Sequence, residues 1–345
     1  MEDFMNEIEI DVGNRVDVER VPLGLYSLDI ALGSKTGKLG MPLRSLIEVS
    51  GRTHVGKSTT TYYMAGVLAS TANKSGKINI VDLEGLDIEY LKHAIGVSGF
   101  KGKVNLIDTV EKGRPRMHSA MLQEAAEDLY GNEDTKVIIL DSIGAFISDA
   151  EWKGDIGEAF MGKRAQSIGQ WGRKVINNLI NKPTPASAIY INHTHSILAG
   201  HGTMTAGGDT IKYLSAIRMV LWQKEVVKTT VGDVDTILGY RVGGTIEKLK
   251  FGNKNKKFEL TIIPEYGVSK ELSALYDAAN LGLIERGATV KVDGKSIGYI
   301  SKLFEAAVNG NTTKFDPIFE KLEEEKQKNV LGNPEYYKEI ESDKD

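Results

Sequence analysis

The chain is 345 residues long, carries a formal net charge of −4, is 41% hydrophobic and contains no cysteine. That length holds one large domain plus a smaller one, and that apolar share fills a proper core. Disulfide frameworks and thiolate metal sites are excluded, no stretch approaches about 18 consecutive apolar residues, and the acidic start MEDFMNEIEI is no secretory leader, so a cytoplasmic chain without a membrane partner is expected and bulk charge alone does not point to nucleic acid.

In chain order, residues 1–20 are polar and acidic around an alternating run, Ile8–Val12, that reads as an edge strand. The spacing in Val21–Ala31 predicts a short helix, and Gly33–Gly40 a loop. Ser45–Val49 predicts a strand and Thr60–Ala72 a helix. Between them, Glu48–Thr59 reads EVSGRTHVGKST, in which Gly51, Gly56, Lys57 and Ser58 fit G-x-x-x-x-G-K-[ST]. Glycines let successive backbone N–H groups of Arg52, Thr53, His54, Val55 and Thr59 turn toward phosphate oxygens. Lys57 brings a positive charge to the β- and γ-phosphates, the Ser58 hydroxyl suits Mg²⁺, and the following helix adds its positive end. Strand, loop and helix come in the required order, so the stretch reads as a nucleoside triphosphate site.

Lys77–Leu83 predicts a buried strand running into Glu84, with a helix from Ile88. Val104–Ile107 is a short strand and Met117–Tyr130 a helix. Lys136–Asp141, KVIILD, is a strongly apolar strand ending in a carboxylate. Beside a phosphate loop, such a carboxylate helps to hold Mg²⁺; without one it would read as an ordinary helix cap. Glu84 is either a base that polarises an attacking water or a solvated strand end. Glu158–Asn181 predicts a long helix, Ala188–Asn192 a strand, Thr194–Asp209 a Gly- and Thr-rich loop, and Ile217–Trp222 a strand. Thr245–Lys250 and Lys257–Ile263 predict a hairpin about Gly252–Asn255. From Ser269 the pattern turns helical, with a turn-rich piece at Thr289–Gly298, a charged helix at Phe319–Lys328 and a charged, frayed end at Glu339–Asp345. Alternating strands and helices predict an α/β fold with a mainly parallel twisted sheet, whose ligands gather beyond the carboxyl ends of the strands.

These residues resemble the RecA recombinase family from Ile8 to Glu285. NRVDVERVPLGLYSLDIALG is similar to the family's opening segment, GRTHVGKST to its phosphate loop, VDLEGLD to the segment with its catalytic glutamate, and LDSIGAF to its second ATPase motif. AEWKGDIGEAFMG resembles the first DNA-binding loop, and INHTHSILAGHGTMTAGGDTIKYLSAIRM the sensor residue, second DNA-binding loop and following helix. Several pieces are shortened or altered, which points to a bacteriophage-type member.

The resemblance implies a RecA-like ATPase core over 21–268, an N-terminal oligomerisation segment over 1–20 and a small C-terminal α/β domain with a charged tail over 269–345. It implies an ATP-dependent strand-exchange protein that forms a helical filament on single-stranded DNA, pairs it with homologous duplex, and works with single-strand-binding and loader proteins. A hexameric helicase or a regulatory ATPase on the same core is the alternative. Lys57 and Ser58 would bind phosphate and Mg²⁺, Asp141 complete the metal site, and Glu84 act as base. Asp87 and Tyr90 would meet adenine, and Lys250 and Lys254 would complete the site of a neighbouring copy. His193 stands where the family has a glutamine sensing the γ-phosphate; an imidazole can donate the same hydrogen bond. The helix that in the family precedes the N-terminal strand is almost missing.

For DNA, the resemblance and local chemistry single out Trp152, Lys153, Met161, Gly162, Arg164, Arg173, Lys174, Ile197, Met204, Gly207 and Gly208. Thr194–Thr210 holds no Lys or Arg, so it offers backbone N–H groups, hydroxyls and apolar wedges, while Lys153, Arg164, Arg173 and Lys174 offer charge. The alternative reading of Arg173-Lys174 is a solvated helix face. His193, His195 and His201 lack the ligand spacing of a metal site.

Overall fold

A computed structural model of the chain describes residues 18–34, 37–70, 76–156, 158, 160, 162–196, 203–231 and 234–330. The expected strand at Ile8–Val12, Met161, Ile197, His201 and the charged tail fall outside the described residues; for Met204 only the backbone is described.

Among the described residues, ten strands form the main sheet: β1 (Leu46–Gly51), β2 (Lys77–Asp82), β3 (Lys103–Leu106), β4 (Thr135–Asp141), β5 (Ser187–Ser196), β6 (Thr203–Thr205), β7 (Ile217–Val231), β8 (Val234–Leu249), β9 (Lys256–Ile263) and β10 (Gly267–Ser269). Their order is β10-β9-β8-β7-β1-β5-β4-β2-β3, with β6 paired to β5. From β7 through β1 to β3 every neighbour is parallel. From β7 to β10 every neighbour is antiparallel.

The helices are α1 (Tyr26–Ala31), α2 (Lys57–Ala69), α3 (Ile88–Gly96), α4 (His118–Gly131), α5 (Asp149–Lys153), α6 (Lys163–Asn181), α7 (Gly208–Leu214), α8 (Lys270–Asn280), α9 (Ile300–Val308) and α10 (Asp316–Val330).

Alternation along the parallel strands explains how both faces are filled. Ile47, Val49, Val137 and Ile139 join α2 and α3 in one apolar cluster. Leu46, Ile138 and Leu140 join α4, α6 and α7 in a second. A strand covered on both faces carries apolar residues at nearly every position, which is why KVIILD stood out. A third cluster is built from α8, α9 and α10, with Val227 and Ile263 supplied by the sheet. The turn-rich piece forms a small antiparallel sheet of Glu285–Arg286, Thr289–Val292 and Lys295–Tyr299.

Several boundaries differ from expectation, α2 among them, which begins at Lys57 rather than Thr60. α1 begins at Tyr26 rather than Val21, because Pro22 and the left-handed Gly24 (φ 74°) precede it. α6 begins at Lys163 rather than Glu158, started by Gly162 at φ 77°. The expected loop Thr194–Asp209 opens as a hairpin, Thr194 opposite Thr205 and Ser196 opposite Thr203. The strand at Ile217–Trp222 runs on to Val231 and returns as β8, most of which the sequence pattern hid. Register shifts at Arg218/Met219, Gln223/Glu225 and Val227/Lys228 break the two-residue alternation that pattern reading relies on.

Two buried carboxyls order the segment before and within α1, and the second ties it to α8. Asp29 accepts from the backbone N–H of Leu23 at 2.6 Å and Gly24 at 3.0 Å. Asp277, on α8, accepts from Ser27 N–H at 3.0 Å. Burial pushes Asp277 up to about 7, against the pull of its Ser27 hydrogen bonds. The folded chain therefore binds a proton there that the unfolded chain has released, so this group's contribution to stability falls as pH rises from its unfolded value toward about 7. Asp277→Asn removes that dependence: the melting temperature of the variant minus that of the parent should grow across this window and level off above it, as read by thermal melts over a pH series.

Candidate nucleotide-binding site

The site is built at the start of α2. Gly56 caps that helix at φ 83°, a conformation that disfavours any side chain, and an added Cβ would also have to push aside the end of Ile262. Lys57 is only 6% exposed. Its ammonium donates to the Arg52 carbonyl at 2.8 Å. Burial lowers the Lys57 pKa, and the carboxylates of Glu84 and Asp141 pull it back up.

Asp141 ends β4 beside this loop, as the apolar strand predicted. Burial raises its pKa; hydrogen bonds from Tyr62 and Ser58 oppose the rise, while Glu84 and Asp82 add to it. Tyr62 donates to Asp141 Oδ2 at 2.9 Å. The next residue, Ser142, donates its hydroxyl to Glu84 Oε1. His193 Nε2 lies 3.3 Å from the same oxygen. The β2–α3 turn that carries Glu84 is fixed by Asp82, whose Oδ1 accepts from Glu84 N–H at 3.1 Å and Gly85 N–H at 2.9 Å.

Thr53 to Thr59, Glu84, Tyr90, Asp141 and His193 thus share one cleft of about 440 Å³. Its far wall is Gln223, Tyr240, Val242, Ile262 and Pro264, which sequence reasoning missed. Gln223 and Tyr240 come from the parts of β7 and β8 that the pattern hid. Tyr62 and Ser142 were also missed, although both were within reach: Ser142 follows Asp141, and Tyr62 stands four residues after Ser58, one helical turn on.

Asp87 and Tyr90, expected at adenine, separate here. Asp87 caps α3, its Oδ1 accepting from Glu89 N–H at 2.8 Å and Tyr90 N–H at 3.0 Å, and it does not line the cleft. Tyr90 lines it and shares a hydrogen bond with the Thr59 hydroxyl. Lys250 and Lys254 do not line the cleft of their own chain; the Lys250 ammonium sits 5.3 Å from the centre of the Phe251 ring.

Behind the cleft, Glu48 is fully buried in β1. It is ion-paired with Arg218 of β7, and Asn192 Nδ2 of β5 donates to it at 2.8 Å. The same Nδ2 donates to the Ala206 carbonyl at 2.9 Å, and Asn192 Oδ1 accepts from Ala206 N–H at 3.1 Å. The returning end of the 194–207 segment is thereby clasped beside His193.

Of the residues expected at DNA, Arg173 and Lys174 are exposed on α6, Lys174 donating to Gln123 Oε1 at 2.6 Å. Lys153 is exposed at the end of α5. Arg164 is paired with Glu151 at 3.0 Å. Trp152 is 38% exposed, its ring 5.7 Å from His118. Gly162 and Gly207 start α6 and α7 in the left-handed region, and Gly208 follows at φ 73°. α6 and α7 approach closely: a Cβ on Gly172 would lie 2.6 Å from Ile211 Cδ1, and one on Gly169 3.0 Å from Thr210 Cγ2.

A sheet of this order, with the glycine-turned loop, its lysine and hydroxyl, and a strand-end carboxylate opposite, defines a phosphate-loop nucleotide-binding protein. The RecA N-terminal domain family model matches residues 4–269. The chain is 29% identical to protein RecA of Saccharopolyspora erythraea over 289 residues, 82% of this chain and 77% of that one. It is 28% identical to protein RecA of Ruminococcus albus over 276 residues, 79% and 64% of the two chains. It is 28% identical to protein RecA of Syntrophus aciditrophicus over 287 residues, 82% and 77%. The chain belongs to the RecA family, a family of DNA-dependent ATPases of recombination. These relatives are bacterial and lend no support to a bacteriophage-type member.

Lys57→Ala removes the loop's only ammonium. Nucleoside triphosphate affinity, measured by calorimetry, should fall by roughly 10–100-fold, the value of a charge-assisted hydrogen bond.

Proposed function

We propose that the protein is an ATP- and Mg²⁺-dependent strand-exchange protein, assembling as a filament on single-stranded DNA and pairing it with homologous duplex. The observation that carries the reading is the convergence of Lys57, Glu84, Asp141 and His193 on one cleft, with His193 one residue from the Asn192 clasp on the second loop. Separate sites for nucleotide and DNA become one coupled system if the same short stretch touches both.

Glu84 would be the base that orients the attacking water, and Ser142 and His193 hold its Oε1. Lys57 would meet the β- and γ-phosphates. Ser58 and Asp141 would hold Mg²⁺; an all-oxygen pair of a hydroxyl and a buried carboxylate suits that hard cation. When bound, the cation neutralises charge on the phosphate oxygens. Tyr90, Tyr240, Ile262 and Pro264 offer the apolar wall that a base requires. Lys250 and Lys254 would serve the cleft of the next copy. DNA would lie against α6 and the two loop exits, with Arg173 and Lys174 on phosphates and Trp152, Ile197 and Met204 against bases.

Electron microscopy with single-stranded DNA and a non-hydrolysable ATP analogue tests the assembly. Helical filaments are expected, and closed rings would favour a motor on the same core. Glu84→Gln should keep nucleotide binding but lose roughly 10²–10⁴ in DNA-stimulated turnover, the usual share of general-base catalysis, and should lengthen the life of the DNA complex. An unchanged turnover would assign the water to another group.

Replacing Arg173 and Lys174 with Ala should flatten the slope of log affinity against log salt. Each phosphate of the single strand that the protein no longer neutralises takes roughly 0.7 off that slope. Fluorescence anisotropy at several salt concentrations reads this directly, and an unaltered slope would make that face merely solvated.

A further inference from the structure

Ser58 and Tyr62 stand four residues apart on α2, so both hydroxyls face the same direction across one helical turn. Both reach Asp141. Tyr62 is 3% exposed and Asp141 6%, so their contact at 2.9 Å is closed to solvent. The Tyr62 ring belongs to the main apolar cluster, where an apolar residue of similar size would pack as well. Its hydroxyl is the part that packing does not explain. A buried phenol requires a partner, and this one takes the carboxylate at the end of β4.

We propose that Tyr62 is a positioning residue for the divalent-cation site: its O–H holds Oδ2 of Asp141, fixing the rotation of the carboxylate and leaving its remaining lone pairs directed for the cation and its bound water. This rests on the reading that Ser58 and Asp141 hold Mg²⁺ with a nucleoside triphosphate. A free carboxylate rotates about its terminal bond in a broad, two-fold well. The Tyr62 donor on Oδ2 selects one orientation before the cation arrives. Groups that orient a metal-holding carboxylate in this way contribute to cation affinity without touching the cation.

The neighbouring residue supplies the control. Tyr63 is also fully buried, and its hydroxyl donates to the Leu23 carbonyl at 2.6 Å, away from the cleft. Tyr62→Phe and Tyr63→Phe each remove one buried hydroxyl and keep the ring. Mn²⁺ is titrated into the full-length protein with a non-hydrolysable ATP analogue, and free Mn²⁺ is read by electron paramagnetic resonance. Analogue affinity without cation and the melting temperature are measured alongside. Tyr62→Phe should bind Mn²⁺ roughly 10–100-fold more weakly, the range for loss of a group that orients a metal-holding side chain, while metal-free analogue affinity stays near the parent's. Tyr63→Phe should bind Mn²⁺ as the parent does. Parent-like Mn²⁺ affinity in Tyr62→Phe overturns the proposal, and so does an equal weakening in both variants, which would mark general loosening of α2. If the parent itself takes up no Mn²⁺ with the analogue, the assignment of Ser58 and Asp141 to the cation falls, and the role of Tyr62 falls with it.

Discussion

The central constraint is a carboxylate with no access to water. Glu48 lies in β1, the central strand of the main sheet order, flanked by β5 and β7, and each flank answers it: Asn192 from one side, Arg218 from the other. Removing one partner of such a group leaves an unpaired charge in the interior, at a cost of roughly 3–5 kcal/mol. The sheet order around β1 is thus fixed by more than apolar packing. Because Asn192 also clasps both backbone groups of Ala206, the same node sets where the second loop returns. Three strands and one loop exit share a single polar centre.

That centre sits directly behind the chemistry. Glu48 precedes the phosphate loop by three positions, and Asn192 precedes His193. At the strand ends the chain repeats the device: Asp141 and Ser142 are consecutive, yet one addresses α2 and the other Glu84. Adjacent residues with different partners bind the loop, the base and the helix start into one unit, so their relative positions do not depend on long flexible side chains. Lys57 is the exception, and its ammonium is held on the Arg52 carbonyl.

The sequence made the parallel half of the fold legible because strands buried on both faces are apolar at almost every position. KVIILD and KINIVDL are examples, and the carboxylates closing or following them proved to face the cleft. The antiparallel half was largely opaque. β7 and β8 carry shifts in register and many charged or hydroxylated residues, so Gln223 and Tyr240 gave no signal of lining a site. The phosphate loop was readable because its glycine, lysine and hydroxyl types answer one chemical demand. Tyr62 was not read because tyrosine in a helix is ordinarily core. Asp87, singled out by resemblance, also has a local task that the sequence could have shown: one of its oxygens caps α3. C-terminal to Ser269, periodicity announced helices but not the cluster that Val227 and Ile263 help to close.

The close approach of α6 and α7 has a consequence for how the chain can vary. A methyl group at Gly172 would displace the ends of the Ile211 and Leu214 side chains, and one at Gly169 would press on the Thr210 methyl. A side chain added at 169 or 172 is therefore felt at 210 or 211, in a segment that leaves a different loop. A larger residue at 169 or 172 is eased by a smaller one at 210 or 211; without it the facing side chains repack or the two loop roots move apart. The pairing of the loops is therefore written as a covariation between distant stretches of chain, and a family of sequences related to this one should carry that imprint at these positions more strongly than in either loop itself.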